Sequence, residues 1–369
     1  MKVVQILPEL NAGGVEGHVL DLAGFLVSQG HESIVISNGG HMVEKLTQRG
    51  VRHVTIPVHR KSLRSLFQVR KVRKFLRDEN PDIIHAHSRV PAWIAWLALR
   101  GIPASKRPKF VTTVHGFYSV NAYSAIMTQG DRVIAVSESV REYIHRNYPK
   151  VDSKRIEVIP HGIDPTLYHP DFKPSDAWLA QWHHEHPELI GKKLLLLPGR
   201  ITRLKGHGDF FQLIKQLKQA GHPVCGLIAG NTHPKKRAYL AELHQQAESL
   251  GITNDIIFLG HRSDLRELMA VSDIVMALSQ QPESFGLTVL EALSLGKAVV
   301  GYDCGGVGEL LAALYPTGKV PPNSSNGLSL TTTQILKNPS QPSPNELFTL
   351  EKSLATTADI YELVARKNP

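Results

Sequence analysis

Cysteine is nearly absent: Cys225 and Cys304 are the only two in 369 residues. Two thiols cannot build a disulfide framework, which points to a reducing cytosol. Long apolar runs are missing as well. No stretch approaches the roughly 20 apolar residues of a membrane span, and the opening run from Met1 to Pro8 is far too short for a signal peptide. Acidic residues are missing from one long segment, since Arg49 to Arg77 holds ten Lys or Arg and no Asp or Glu.

What is there fits a soluble chain of two ordinary domains, with 42% hydrophobic and 20% charged residues. The net charge of +9 sits entirely in the first part. Residues 1–170 carry 23 Lys+Arg against 14 Asp+Glu, whereas 171–369 carry 19 of each. Such asymmetry implies a polyanion or an anionic membrane surface as partner. The segment Ser62 to Arg77 is helical by period, with Leu63, Leu66, Phe67, Val69, Val72, Phe75 and Leu76 on an apolar side. Arg64, Arg70, Lys71, Arg73, Lys74 and Arg77 supply its charge. A basic amphipathic helix of this kind suits an anionic membrane interface or an anionic acceptor.

The chain opens with a buried strand, Val3 to Leu7, a turn at Gly13-Gly14, and a helix through Val19, Leu22, Ala23 and Leu26. Strand, glycine turn and helix begin a doubly wound α/β domain, the glycines letting a ligand approach the backbone. Further strands are expected at Ser33–Ser37, Val54–Pro57, Ile83–His87, Phe110–Val114 and Arg132–Val136. A second α/β series follows at Leu194–Leu197, Val224–Ala229, Ile256–Leu259, Ile274–Ala277 and Ala298–Tyr302. The pattern is that of two Rossmann-like domains with parallel sheets. We place them at 1–170 and 171–344, with a last helix in 345–369, capped by Asn345, returning to the first domain. A proline-rich, non-periodic linker is expected from Pro165 to about Pro187, and a polar connector through Thr331–Thr333 and Asn338–Pro344.

Three sets of polar residues stand out. His85-Ala86-His87 puts two imidazoles on one side of a strand, yet no adjacent Cys or carboxylate cluster completes a metal site. His115 follows a strand and precedes Gly116, where open α/β sheets bind ligands. Arg200 and Lys205 flank a glycine-bounded loop after another strand, and two cations there can cradle a diphosphate.

The densest signal is residues 279–309. Glu283 and Glu291 stand eight apart, with start signals for a helix near Phe285 between them. The free N–H groups of that helix would offer an anion site beside Glu283. Eight helical residues rise about 12 Å, more than the about 5 to 9.5 Å of a glycosidase carboxyl pair. The two glutamates therefore suit opposite ends of one long ligand, such as a sugar nucleotide.

Taken together, Gly13-Gly14, Thr113–Gly116, Ala135–Ser137, Ile159–Asp164, Gly199-Arg200 with Lys205-Gly206, and Glu283–Glu291 with Gly305-Gly306 and Glu309 resemble the retaining glycosyltransferases of family 4. That resemblance implies the GT-B architecture, two Rossmann-like domains facing a cleft, the first binding acceptor and the second a nucleotide sugar. It implies that Glu283 holds donor-sugar hydroxyls, Glu291 the ribose, and that Arg200 and Lys205 neutralise the leaving diphosphate. Phe285, Gly286 and Leu287 would offer backbone N–H groups, His115 would contact the donor sugar, and Gly13-Gly14 would admit donor phosphate and acceptor. No cofactor and no metal are expected, and the chain contains no Asp-x-Asp to clamp a diphosphate through a divalent ion.

Departures from the family pattern fall at His161, where asparagine is usual, at Gly308, where proline is common, and at Gly17. The texture is similar to enzymes of the lipopolysaccharide core. The expectation is a metal-independent hexosyltransferase using a nucleotide-diphosphate sugar, UDP-glucose favoured, on a glycolipid acceptor. It would be cytoplasmic, peripheral on the inner face of the cytoplasmic membrane, with no nucleic-acid partner. The alternatives are an epimerase or phosphorylase on the same fold, or a non-catalytic membrane-binding protein.

Overall fold

The protein is described by a computed structural model covering residues 1–11, 13–61, 65–232 and 237–365, with the side chains of Ser65, Leu66 and Arg237 outside the description. Arg64 of the basic segment therefore lies outside the described residues. The chain forms two units, Met1–Gly162 with Leu350–Pro369, and Ile163–Thr349. The division falls at 162/163 rather than 170/171, and the returning segment begins at Leu350 rather than at 345.

The first unit holds seven strands: β1 (Lys2–Ile6), β2 (Glu32–Ser37), β3 (Arg52–Thr55), β4 (Ile83–Ala86), β5 (Lys109–Val114), β6 (Arg132–Ala135) and β7 (Ile156–Val158). They pair in the order β3-β2-β1-β4-β5-β6-β7, all parallel. Their sequences are near-continuous apolar runs because helices cover both faces. The helix Leu350–Ala365 belongs to this unit and buries Leu354, Ile360, Tyr361 and Val364 in a core with Val3, Leu22, Ile83 and Val111.

The second unit holds β8 (Lys193–Pro198), β9 (Val224–Ala229), β10 (Ile256–Gly260), β11 (Ile274–Ala277), β12 (Ala298–Tyr302) and β13 (Lys319–Val320). Their order is β10-β9-β8-β11-β12-β13, again parallel. In each sheet the order reverses once, between β1 and β4 in the first and between β8 and β11 in the second. Ligands of open α/β sheets bind outside the strand ends at such a reversal.

Several sequence expectations need correction. The stretch read as a non-periodic linker contains the helix Asp176–Glu185, whose cap is Ser175 accepting from the Trp178 N–H at 3.3 Å. Thr331–Thr333 lie inside the helix Ser325–Lys337, where β-branched residues and Gly327 mask the helical signal. Asn345 caps no helix. It accepts from the Phe348 N–H at 2.9 Å and donates to Ser294 Oγ at 3.0 Å, making a turn ahead of the helix that starts at Leu350. The helix between Glu283 and Glu291 begins at Leu287, not Phe285.

The basic helix spans Ser65–Glu79 and buries Val69, Val72 and Leu76 while Phe67 is exposed. Its cations have different employments. Arg73 donates to the carbonyls of Ala98 and Leu97 at 3.2 and 3.0 Å, closing the C-terminal end of the helix Arg89–Leu99. Arg77 reaches the Gly101 carbonyl at 2.5 Å, and Lys74 pairs with Asp78 at 2.5 Å. Arg70 and Lys71 are exposed to solvent. No helix among the described residues is long and apolar enough to cross a membrane.

Candidate functional site

In the second unit the polar residues gather at the sheet's point of reversal. The loop after β8 carries Gly199, Arg200 and Lys205, and the loop after β11 carries Ser279 and Glu283. The two loops are stitched together: the Gln280 N–H donates to the Leu204 carbonyl at 2.9 Å. Gly206 makes this approach possible. Its φ is +70°, and a Cβ there would lie 2.1 Å from the Leu278 carbonyl oxygen.

Stitching puts Lys205 Nζ 2.6 Å from Glu283 Oε1, and Ser279 Oγ donates to the same oxygen. Burial alone would push the Glu283 carboxyl up. The Lys205 charge and the two hydrogen bonds outweigh burial and hold it below the usual range. The backbone of Glu283 is fixed in turn by the Gly306 N–H, which donates to its carbonyl at 2.8 Å, and by a parallel bridge to Gly305. A Cβ on Gly306 would sit 2.4 Å from Phe285 Cα, so the Gly305-Gly306 pair is a packing requirement.

Phe285 is buried against the edge of Phe348, with ring centroids 6.1 Å apart. Gly286, at φ +96°, turns the chain into the helix Leu287–Ser294. The first intrahelical bonds run from Val289 and Leu290 to the Gly286 carbonyl, leaving the Leu287 and Thr288 amides ahead of the ladder. Glu291 lies on this helix. Burial raises its carboxyl to about 7, and a hydrogen bond with Tyr168 opposes only part of that rise. Arg200 is exposed and has no carboxylate partner among the described residues.

Sequence reasoning did not find the supports of this site. Tyr302 donates to Asp209 at 2.7 Å, on the helix that follows Lys205, and Gln280 reaches the same carboxylate at 3.5 Å. Tyr302 ends β12 and Asp209 follows Lys205-Gly206 closely, so strand-end position was the available signal.

The first unit carries a different constellation at its own point of reversal. Gly13 caps the helix Gly14–Ser28 in extended conformation, where a Cβ would meet the Glu16 carboxylate 2.3 Å away. His115 follows β5, but it is not alone. His87 Nδ1 is 3.1 Å from His115 Nε2, and His115 Nδ1 is 3.4 Å from His161 Nε2. His18 meets His161 edge to face at 4.8 Å, and the His85 and His87 ring centroids lie 4.0 Å apart. Burial pulls these rings below the ordinary histidine range, His161 to about 4 and His18 to about 3, and neighbouring imidazoles add to it at His18, His87 and His115. They are neutral at physiological pH. Among the described residues no group of three or more His, Cys, Asp or Glu could hold a metal ion. His18, His87 and His161 were missed as site residues, although three strand ends that each finish in histidine were visible in the sequence.

Comparison with known proteins bears on both units. The profile described as "Glycosyltransferase Family 4" matches residues 12–167, and that described as "Glycosyl transferases group 1" matches 180–347. N-acetyl-alpha-D-glucosaminyl L-malate synthase of Bacillus anthracis is 26% identical over 319 residues, 82% of this chain and 79% of that protein. The lipopolysaccharide core biosynthesis mannosyltransferase LpsB of Rhizobium meliloti is 28% identical over 181 residues, 49% of this chain and 48% of its own length. Among solved structures, a glycosyltransferase from Rickettsia africae ESF-5 superposes with a TM-score of 0.86 at 26% identity, covering 100% of this chain and 99% of that one.

Proposed function

The chain belongs to glycosyltransferase family 4, and on that premise we propose that it transfers a hexose, with retention of configuration, from a nucleotide-diphosphate sugar to a hydroxyl of a cell-surface glycolipid. UDP-glucose is the first donor to test, and the lipopolysaccharide core the first acceptor. The observation that carries the donor side is the 2.6 Å Lys205–Glu283 pair, held at the second sheet's point of reversal. A salt bridge there gives one fixed cation for phosphate and one carboxylate for sugar hydroxyls without a divalent ion.

In this reading Arg200 and Lys205 neutralise the diphosphate as the bond from the anomeric carbon to its oxygen breaks. The acceptor hydroxyl forms the new bond on the same face, and its proton passes to the departing diphosphate. Glu283 holds sugar hydroxyls, the amides of Phe285, Gly286 and Leu287 meet phosphate and sugar, and Glu291 takes the ribose. In the first unit, Gly13 and Gly14 leave room for donor phosphate and acceptor, and His115 stands on the ligand edge of its sheet. Two things support a glycolipid acceptor: the positive excess confined to residues 1–170 and the exposed Arg70 and Lys71. On this reading the protein acts at the inner face of the cytoplasmic membrane.

The test is a screen of UDP-glucose, UDP-galactose, UDP-N-acetylglucosamine and GDP-sugars for slow hydrolysis and thermal stabilisation. One donor should stabilise the protein by mass action and release its nucleoside diphosphate, with Glu283→Ala abolishing release. If no nucleotide sugar does either, the reading fails.

A further inference from the structure

The imidazoles of the first unit have a direction, and Gln5 in β1 sets it. The Gln5 side-chain nitrogen donates to the Val19 carbonyl at 3.5 Å, so its oxygen is the atom 3.0 Å from His87 Nε2. A carbonyl oxygen only accepts, so the proton of His87 is on Nε2. A neutral imidazole has one N–H, which leaves His87 Nδ1 an acceptor, and the proton in its 3.1 Å bond belongs to His115 Nε2. The same step makes His115 Nδ1 an acceptor and gives the proton of the 3.4 Å bond to His161 Nε2. Three rings thus point one way.

Turning the Gln5 amide over would reverse every bond in the row. It would also set the Gln5 side-chain oxygen against the Val19 carbonyl oxygen, two acceptors with no proton between them. Burial is the largest influence on both rings, followed by His85, His18 and His161 at His87 and by His161, His87 and His18 at His115. His85 lies in a side branch, 2.7 Å from Thr113 Oγ1 and 2.5 Å from the Tyr361 hydroxyl, which burial keeps protonated.

We propose that Gln5 is a positioning residue for the reaction: through His87 it fixes His115 and His161 as Nε2–H tautomers, so that the unit presents its ligand with neutral rings of one donor–acceptor polarity. The link to catalysis rests on the reading given above, that His115 stands where substrate binds. The tautomers themselves do not.

The full-length protein labelled with 15N at histidine decides it. Long-range proton–nitrogen correlation separates Nε2–H from Nδ1–H rings, and His87, His115 and His161 are expected as Nε2–H between pH 6 and 8. An Nδ1–H ring at any of the three in the unmutated protein overturns the proposal, with no variant needed. Gln5→Met should mix the tautomers of His87 and His115 and lower kcat about tenfold with the donor KM unchanged. Gln5→Glu keeps the accepting oxygen, so it should keep the tautomers while raising the pH at which His87 protonates and adding an acid limb to the rate profile. Unaltered tautomers in Gln5→Met would also overturn it. If the tautomers follow the scheme but no nucleotide sugar is turned over in any variant, the row stands and the proposed reaction falls.

Discussion

Two parallel sheets in one chain reverse their strand order once each, and opposite chemistry stands at the two reversals. Beside β1 and β4 lie five imidazoles that burial pulls below the ordinary histidine range, one of them bonded to Gln5. Beside β8 and β11 lies an ion pair in which Lys205 holds the Glu283 carboxyl below its usual range. The same backbone geometry serves both. What differs is what meets a titratable group taken from water: Glu283 meets the Lys205 charge, which lowers its carboxyl, whereas burial lowers the histidines.

The largest effect expected from breaking this contrast is on turnover. Glu283→Ala leaves Lys205 without its carboxylate, and Lys205→Ala removes the cation assigned to the diphosphate. Each should lower donor hydrolysis by roughly a hundredfold or more, the scale of losing one preorganised electrostatic contact. Normal turnover in either variant would mean the charged reversal is structural only.

Stability gives the next test. Arg73 closes the end of a neighbouring helix, so Arg73→Ala should cost about 1–2 kcal/mol in denaturant unfolding. Arg70→Ala, at an exposed position of the same helix, should stay within about 0.5 kcal/mol. Equal losses would show that the two cations are not differently employed.

Glu291 sharpens the rule by having no cation paired with it among the described residues. Its carboxyl is raised to about 7 in the folded state from a reference value of 4.5. The folded chain therefore binds the extra proton between those values, and stability falls as pH rises from 4.5 to 7. Glu291→Gln should match the parent near pH 4 and melt higher than it at pH 8. Coincident melting curves at both pH values would contradict this.

A further test is at the membrane. Neutralising Arg70 and Lys71 should weaken partitioning onto anionic vesicles by about 1 kcal/mol for each charge. Unchanged partitioning would return that face to plain solvent exposure.

Much of the fold was legible because buried parallel strands are uninterrupted apolar runs that need no partner to be recognised. β8 is almost pure leucine. The charged site was legible for a related reason: its residues sit next to glycines at strand ends, and charge beside glycine is conspicuous. The neutral site was legible only at His115. Gln5 reads as an interruption of a strand, and His161 as a departure from a motif, until the contacts from Gln5 to His87, His87 to His115 and His115 to His161 bring them to one row. The helix at Asp176–Glu185 was lost among flanking prolines, and β13, only two residues long, carries no periodicity at all.

The helix Leu350–Ala365 has a consequence for the order of assembly. It lends Tyr361 to His85 and four side chains to the first unit's core, yet the ribosome makes it only after the whole of the second unit. During synthesis the amino-terminal half must wait, incomplete, for the last part of its own interior. Ending translation before Leu350 should yield a protein whose second unit resists protease while the first is digested.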